Sequence, residues 1–304
     1  IRWACSSRLG AHRSAVHIPG SHRARSCISP PYDNVQRALN RGGTANELFS
    51  TYDPRLMDER STGTKRVMVV SHERSGTHLL INTLALNFRH SALWVDVETS
   101  ATADGRAPTI TPFLDALPDA PFANVLKSHH SVEMFQGRLT RLSDSIHIFY
   151  VYRDGRDVMT SFWRFANDGG GIDEGPRRDS VGAFMSAPPS GRTLLFQTRP
   201  PADMLDRWIN HVTHWLDESE RPNGIVTAVR YEDLIEDFDN TLDVIAEALG
   251  AAAFHRAKPS LRLASVAPWR GWSGNWREFF DDHARALFTQ RAGDLIKRLN
   301  YDDT

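Results

Sequence analysis

Two short apolar runs each end in a tight polar turn and continue into a segment with helical spacing, and this repeated junction is what most constrains the fold. The first is VMVVSHERSGTHLLINTL, Val67 to Leu84, which tightens around Ser75, Gly76 and Thr77. The second is IHIFYVYRDGRDVMTSFWRF, Ile146 to Phe165. β-rich runs alternating with amphipathic segments predict an α/β fold with a central parallel sheet flanked by helices on both faces. Strands are expected at Arg66 to Ser71, Asn124 to Ser128, Ile146 to Tyr152 and Ile225 to Arg230. Helices are expected at Thr77 to Phe88, Gly155 to Phe165, Asp203 to Glu218 and Phe238 to Leu249, with Gly250 as a C-cap. The third is clearest, because Leu205, Trp208, Ile209, Val212, Trp215 and Leu216 recur at three- and four-residue intervals.

A strand that feeds a helix through small residues leaves backbone N–H groups pointing outward, backed by the positive end of the helix dipole. That is an anion cradle. Gly76 permits φ > 0 or close ligand approach, Ser75 and Thr77 offer hydroxyls, and Arg74 offers a fixed charge. The ATP-binding P-loop pattern is not met, since no glycine stands five residues before Gly76 and no lysine follows it. At the second junction Arg153 emerges at the strand end, Asp154 is the expected N-cap, and Ser161 lies about two turns further on. This arrangement suits a second phosphate; its structural alternative is pairing of Arg153 or Arg156 with Asp157.

Composition directs any anion site to be local. The chain of 304 residues carries 36 basic and 37 acidic side chains, so no global charge points to nucleic acid or to a membrane surface. No run approaches eighteen apolar residues, and the expectation is a soluble, cytoplasmic protein without a membrane span. Cys5 and Cys27 both precede the motifs, which leaves no thiolate metal site near them. Residues 1–56 hold eight arginines against Asp33, Glu47 and Asp53, and the first methionine is Met57. They are expected to be a basic, poorly packing leader, with a single functional domain over 57–304; an organelle-targeting segment is the rival reading.

SHERSGTHL and FYVYRDGRDVMTSFW together resemble the 5'-phosphosulfate loop and 3'-phosphate motif of sulfotransferases that use 3'-phosphoadenosine 5'-phosphosulfate (PAPS), most like the cytosolic branch. Three further pieces fall in the family order: VLKSHHS, Val125 to Ser131, VRYEDL, Val229 to Leu234, and WRGWSGNWREFF, Trp269 to Phe280. The resemblance covers roughly 66–280 and implies a P-loop-like nucleotide-binding core. It implies that Arg74 faces the leaving phosphate oxygen, with Ser75, Gly76, Thr77 and His78 around the 5'-phosphate. It makes His129 the base and Lys127 a charge that steadies the sulfuryl group. Arg153 and Ser161, completed by Arg270 and Gly271, become the 3'-phosphate ligands, and Tyr231 lies beside adenine. PAPS is the implied donor, PAP (3',5'-bisphosphoadenosine) the product, and a small molecule the acceptor, with no metal expected. Arg74 stands where lysine is usual, His78 where threonine is common, Leu79 where a tryptophan usually stacks on adenine, and Trp269 where arginine is frequent.

The chemistry asks for these residue types on its own terms. Sulfuryl transfer needs an in-line nucleophile and fixed cations at the leaving oxygen. Arg74 supplies charge but no proton near neutral pH, whereas a histidine of ordinary pKa, about 6.5, can accept one. His72 is the rival base. His130, His211 and His214 lack a matching carboxylate or cysteine cluster and read as packing or surface residues. Trp208 and Trp215 read as core; Trp163, Trp272 and Trp276 fall within motifs where they can border a ligand. Asn167 to Leu195 is Gly/Pro-rich and is expected to be a mobile loop acting as an acceptor-site lid, and Val95 to Ala123 is a second acceptor-side loop. Transfer of a sulfuryl group to a hydroxyl or amine is the first function class; an ATP-dependent P-loop-like kinase and a non-catalytic nucleotide-binding protein are the alternatives. No sequence feature specifies the acceptor or an oligomeric state.

Overall fold

The computed structural model describes residues 65–92, 94–102, 105, 107–117, 124–135, 137–168, 173–259 and 273–301. The basic segment 1–56 expected as a leader lies outside the described residues, as do Arg270 and Gly271.

Five parallel strands form the central sheet: β1 (Arg66–Ser71), β2 (Val95–Asp96), β3 (Val125–Ser128), β4 (Ile146–Tyr152) and β5 (Val226–Arg230). Their order is β2-β3-β1-β4-β5. Every pairing is parallel, so each crossover must travel back over a face of the sheet. The five longest helices among the described residues are α1 (Thr77–Asn87), α2 (Gly155–Asp168), α3 (Met204–Ser219), α4 (Phe238–Leu249) and α5 (Asp282–Arg298).

Alternation along β1 assigns its side chains to two cores. Val67 and Val69 pack with Leu80 and Leu84 of α1 and Leu242 and Ile245 of α4. Met68 and Val70 face the other way, into a core with Phe162 of α2, Trp208 and Trp215 of α3 and Phe288 of α5. A strand buried on both faces reads as a continuous apolar run rather than an alternating one, which is why β1 and β4 were so distinct in the sequence.

Val70 pairs with both Ser128 and Tyr150. This register brings the C-terminal ends of β3, β1 and β4 level, so the segments that follow them, at His129, His72 and Arg153, leave the sheet side by side. Ligands of open α/β sheets gather at that edge.

The segment expected as a mobile loop carries more structure than its glycines and prolines suggest. It holds a helix, Val181–Met185, whose N-cap Ser180 accepts from the Ala183 N–H, and a 3-10 turn, Gly191–Phe196. The Trp163 indole N–H and the Asn167 amide both donate to the Arg178 carbonyl, at 2.7 and 2.8 Å, and fasten this segment to α2.

Candidate active site

The turn after β1 is built around two left-handed residues, Arg74 (φ 69) and Gly76 (φ 102). Gly76 is the N-cap of α1 and contributes no side-chain cap, so the first N–H groups of the helix face the turn without a side-chain acceptor. Ser75 Oγ and His78 Nε2 are buried with no hydrogen-bond partner. The Thr77 hydroxyl is already engaged with Ser71 Oγ at 2.6 Å. Uncapped N–H groups together with orphaned buried polar atoms fit an anion bound at this turn.

The two junctions meet directly. Arg74 Nε donates to Ser161 Oγ at 3.1 Å, and its guanidinium lies 4.7 Å from the centre of the Phe165 ring. Burial, with Arg153 nearby, lowers the Arg74 pKa to about 10, which leaves it cationic at neutral pH. Arg153 donates to the Arg74 carbonyl at 3.4 Å and lies 4.6 Å from the Tyr231 ring centre. Tyr231 in turn packs over Gly76. Arg74, Ser75, Gly76, Arg153, Ser161 and Tyr231 thus form one contiguous cluster drawn from three strand ends. The Asp154 carboxylate accepts from the Arg156 N–H at 2.9 Å, the N-cap contact expected of it, and holds the Arg156 guanidinium in a fork.

Asp157, which the sequence marked only as a possible ion-pair partner, has a larger part. Its carboxylate is 3.5 Å from Arg153 Nη2 and also accepts from the N–H groups of Gly274 at 2.7 Å and Trp276 at 3.0 Å. It fastens the described end of the C-terminal motif to α2. Trp276 itself is buried core and lies under the guanidinium of Arg156, not at an open ligand face.

The two rival bases differ in what occupies their ring nitrogens. His129 is half-buried, and its Nδ1–H donates to the Ser71 carbonyl at 2.9 Å, which leaves the lone pair on Nε2. Burial, reinforced by Lys127, holds its pKa well below the ordinary imidazole value, so the ring is neutral. His72 is fully buried, with Nδ1 bonded to the Glu73 carbonyl at 3.0 Å and Nε2 accepting from Arg207 at 2.8 Å. No lone pair of His72 is left for an incoming proton.

Lys127 is ion-paired with Asp96 at 3.0 Å and lies 5.6 Å from the Trp94 ring centre, on whose ring His78 is also tilted at 4.7 Å. Burial and Lys127 bring the His78 pKa down to about 4. Phe196 stands edge-on to His129 with ring centres 5.8 Å apart. Neither Trp94 nor Phe196 carried a sequence signal, because Trp94 lies in an irregular segment and Phe196 ends a 3-10 turn too short to show a periodicity. His211 is buried against the site while His214 pairs with Glu133 on the surface, so the two do not act together. Among the described residues no group of three or more His, Cys, Asp or Glu side chains is arranged to hold a metal ion, and no helix is long and apolar enough to cross a membrane.

The family model for the sulfotransferase domain matches residues 64–261. No curated protein sequence matches the chain. Among solved structures, mouse sulfotransferase SULT7A1 complexed with PAP shares the fold, with a TM-score of 0.52 at 18% identity over 88% of this chain and 92% of that one.

Proposed function

The chain belongs to the sulfotransferase family, and from that premise we propose that it uses PAPS as donor and transfers the sulfuryl group to a hydroxyl or amine of a small acceptor, with His129 as base. One observation carries this reading: a neutral histidine whose only protonated nitrogen is tied to the Ser71 carbonyl sits at the same sheet edge as the Arg74–Ser161–Arg153 cluster.

PAPS, when bound, supplies a sulfuryl group on a phosphate leaving group. The chain's residues supply the rest. Ser75 and His78, with the N-terminal N–H groups of α1, would hold the 5'-phosphate, and their orphaned atoms suit that task. Arg74, cationic and largely buried, offsets charge that develops on the leaving oxygen, and Lys127 lends a further positive charge. Arg153 and Ser161, with Arg270 and Gly271, would hold the 3'-phosphate, and Tyr231 would flank the adenine. His129 takes the acceptor's proton at Nε2. The Ser71 carbonyl, already the acceptor of its Nδ1–H, steadies the ring as it becomes cationic.

The test is transfer of label from radiolabelled PAPS to a phenol, an aliphatic alcohol and an aryl amine. His129→Ala is expected to lower turnover by at least about 100-fold while PAP affinity stays within about threefold. Turnover within about tenfold of the unaltered protein would remove His129 as base. Consumption of ATP in place of PAPS would turn the assignment to a kinase.

A further inference from the structure

The longest apolar face recognised in the sequence, that of α3, carries polar side chains in its stripe. Arg207, His211 and Trp215 follow one another at four-residue intervals, so they stack along one side of the helix about one turn apart. Arg207 and His211 are each 3% exposed and Trp215 is 0% exposed. A stripe meant only for packing has no use for a buried guanidinium, whose desolvation is costly unless every donor is matched.

Each of the three reaches a different part of the reaction centre. Arg207 Nη1 donates to His72 Nε2 and Nη2 to Glu73 Oε1, both at 2.8 Å, which grips the two residues immediately ahead of Arg74. Its Nε donates to Gln197 Oε1 at 2.8 Å, the residue that follows Phe196. His211 Nδ1 accepts from the Tyr150 hydroxyl at 3.1 Å, which puts the proton on Nε2, and Nε2–H donates to the His129 carbonyl at 3.3 Å. The Trp215 indole N–H donates to the His130 carbonyl at 3.0 Å. His72 and His211 touch edge to face with ring centres 5.5 Å apart, so the two halves of the network are in contact.

We propose that Arg207 and His211 are positioning residues, with α3 as the rigid bar that fixes the distance between the phosphate loop carrying Arg74 and the base His129. The proposal rests on the roles given to Arg74 and His129 above. Neither α3 residue touches the reacting atoms. They act through backbone and side-chain contacts on either side, in the manner of a supporting shell whose loosening by about 1 Å costs on the order of 100-fold in rate.

The experiment compares Arg207→Lys, His211→Phe and His211→Gln with the unaltered protein. PAP affinity and the number of PAP sites come from calorimetry, and turnover per site comes from label transfer from PAPS to 4-nitrophenol and to water. Arg207→Lys keeps the charge beside Glu73 but loses the fork. His211→Phe keeps the ring but loses both hydrogen bonds, and the amide of His211→Gln can again donate to the His129 carbonyl. The expected result is turnover per PAP site about 10- to 100-fold lower in Arg207→Lys and His211→Phe, PAP affinity within about threefold, and recovery of most of the loss in His211→Gln. Unchanged turnover per site, or PAP affinity that falls in step with turnover, would overturn the proposal. Absence of PAP binding by the unaltered protein is a separate failure, that of the donor assignment.

Discussion

The ring of Tyr231 lies so close over Gly76 that a Cβ built on the glycine would stand 2.2 Å from Tyr231 Cδ2. Two independent demands therefore meet at residue 76: a φ of 102° and room for a ring. Gly76→Ala is expected to destabilise the protein by about 2 kcal/mol or more and to weaken PAP binding by at least about tenfold, because the ring or the turn must move. Adding Tyr231→Ala removes the clash but not the strained φ, so the double variant should recover part of the stability. Denaturant unfolding of the four proteins in the cycle checks this; additive losses would contradict it.

Asp157 gathers Arg153 and the N–H groups of Gly274 and Trp276 around one buried carboxylate. Asp157→Ala removes the acceptor of both N–H groups and a neighbouring anion of Arg153, a loss of about 3–5 kcal/mol by the usual cost of breaking a buried charged network. Asp157→Asn keeps one carbonyl oxygen and should lose less. Unfolding midpoints in urea give the comparison, and a loss under about 1 kcal/mol for the alanine variant would mean that the carboxylate fastens nothing.

Acid should destabilise the fold. Burial holds the pKa values of His72, His129, His130 and His211 below the ordinary imidazole value, that of His130 at about 3, with the Arg207 charge adding to the effect on His72, His130 and His211. Below pH of about 6.5 the unfolded chain binds protons that the folded chain excludes. Stability is therefore full above that pH and is lost as the pH falls towards the folded-state values, by up to about 1.4 kcal/mol per pH unit for each excluded proton. Thermal unfolding from pH 8 to 5 should show a melting temperature flat at the alkaline end and falling below about 6.5. A melting temperature that rises on acidification would contradict the neutral imidazoles.

Where the sequence carried unbroken local signals, the elements were legible to the residue. Arg66–Ser71, Ile146–Tyr152 and Phe238–Leu249 have the expected bounds, and Gly250 caps the last in the left-handed region. α2 runs three residues past the expected Phe165 to Asp168, and α1 stops at Asn87, one short of Phe88. β2 has two residues, too few for any periodicity. α5 went unread because two of its buried positions, Ala284 and Ala292, are small and Gly293 interrupts the helical pattern. Its start is nonetheless fixed by the Asp281 cap on Ala284, and midway along it Arg291 grips Asp203, the N-cap of α3.

Within the site, the residue types were legible and their pairings were not. The resemblance set Arg74 at the 5'-phosphate, Ser161 at the 3'-phosphate and Tyr231 beside adenine, so the Arg74–Ser161 hydrogen bond and the approach of Arg153 to Tyr231 are seen only in the fold, where the parallel register brings the strand ends together. The grip of Arg207 on His72 and Glu73 spans more than 130 positions, and only the folded chain reveals it. That contact is also what separates His72 from His129 as candidate bases, a distinction that two histidines at two strand ends could not supply on their own.

The central claim is that the cluster of Arg74, Ser161 and Arg153 recognises a nucleotide bearing both a 5'-phosphate and a 3'-phosphate. Calorimetric titration with PAP, set beside ATP with Mg²⁺, in the unaltered protein and in Arg153→Ala, tests it most directly. The expected result is tight PAP binding that Arg153→Ala weakens by about 10- to 100-fold, with little response to ATP in either protein. ATP binding more tightly than PAP, with Arg153→Ala leaving PAP affinity unchanged, would contradict it.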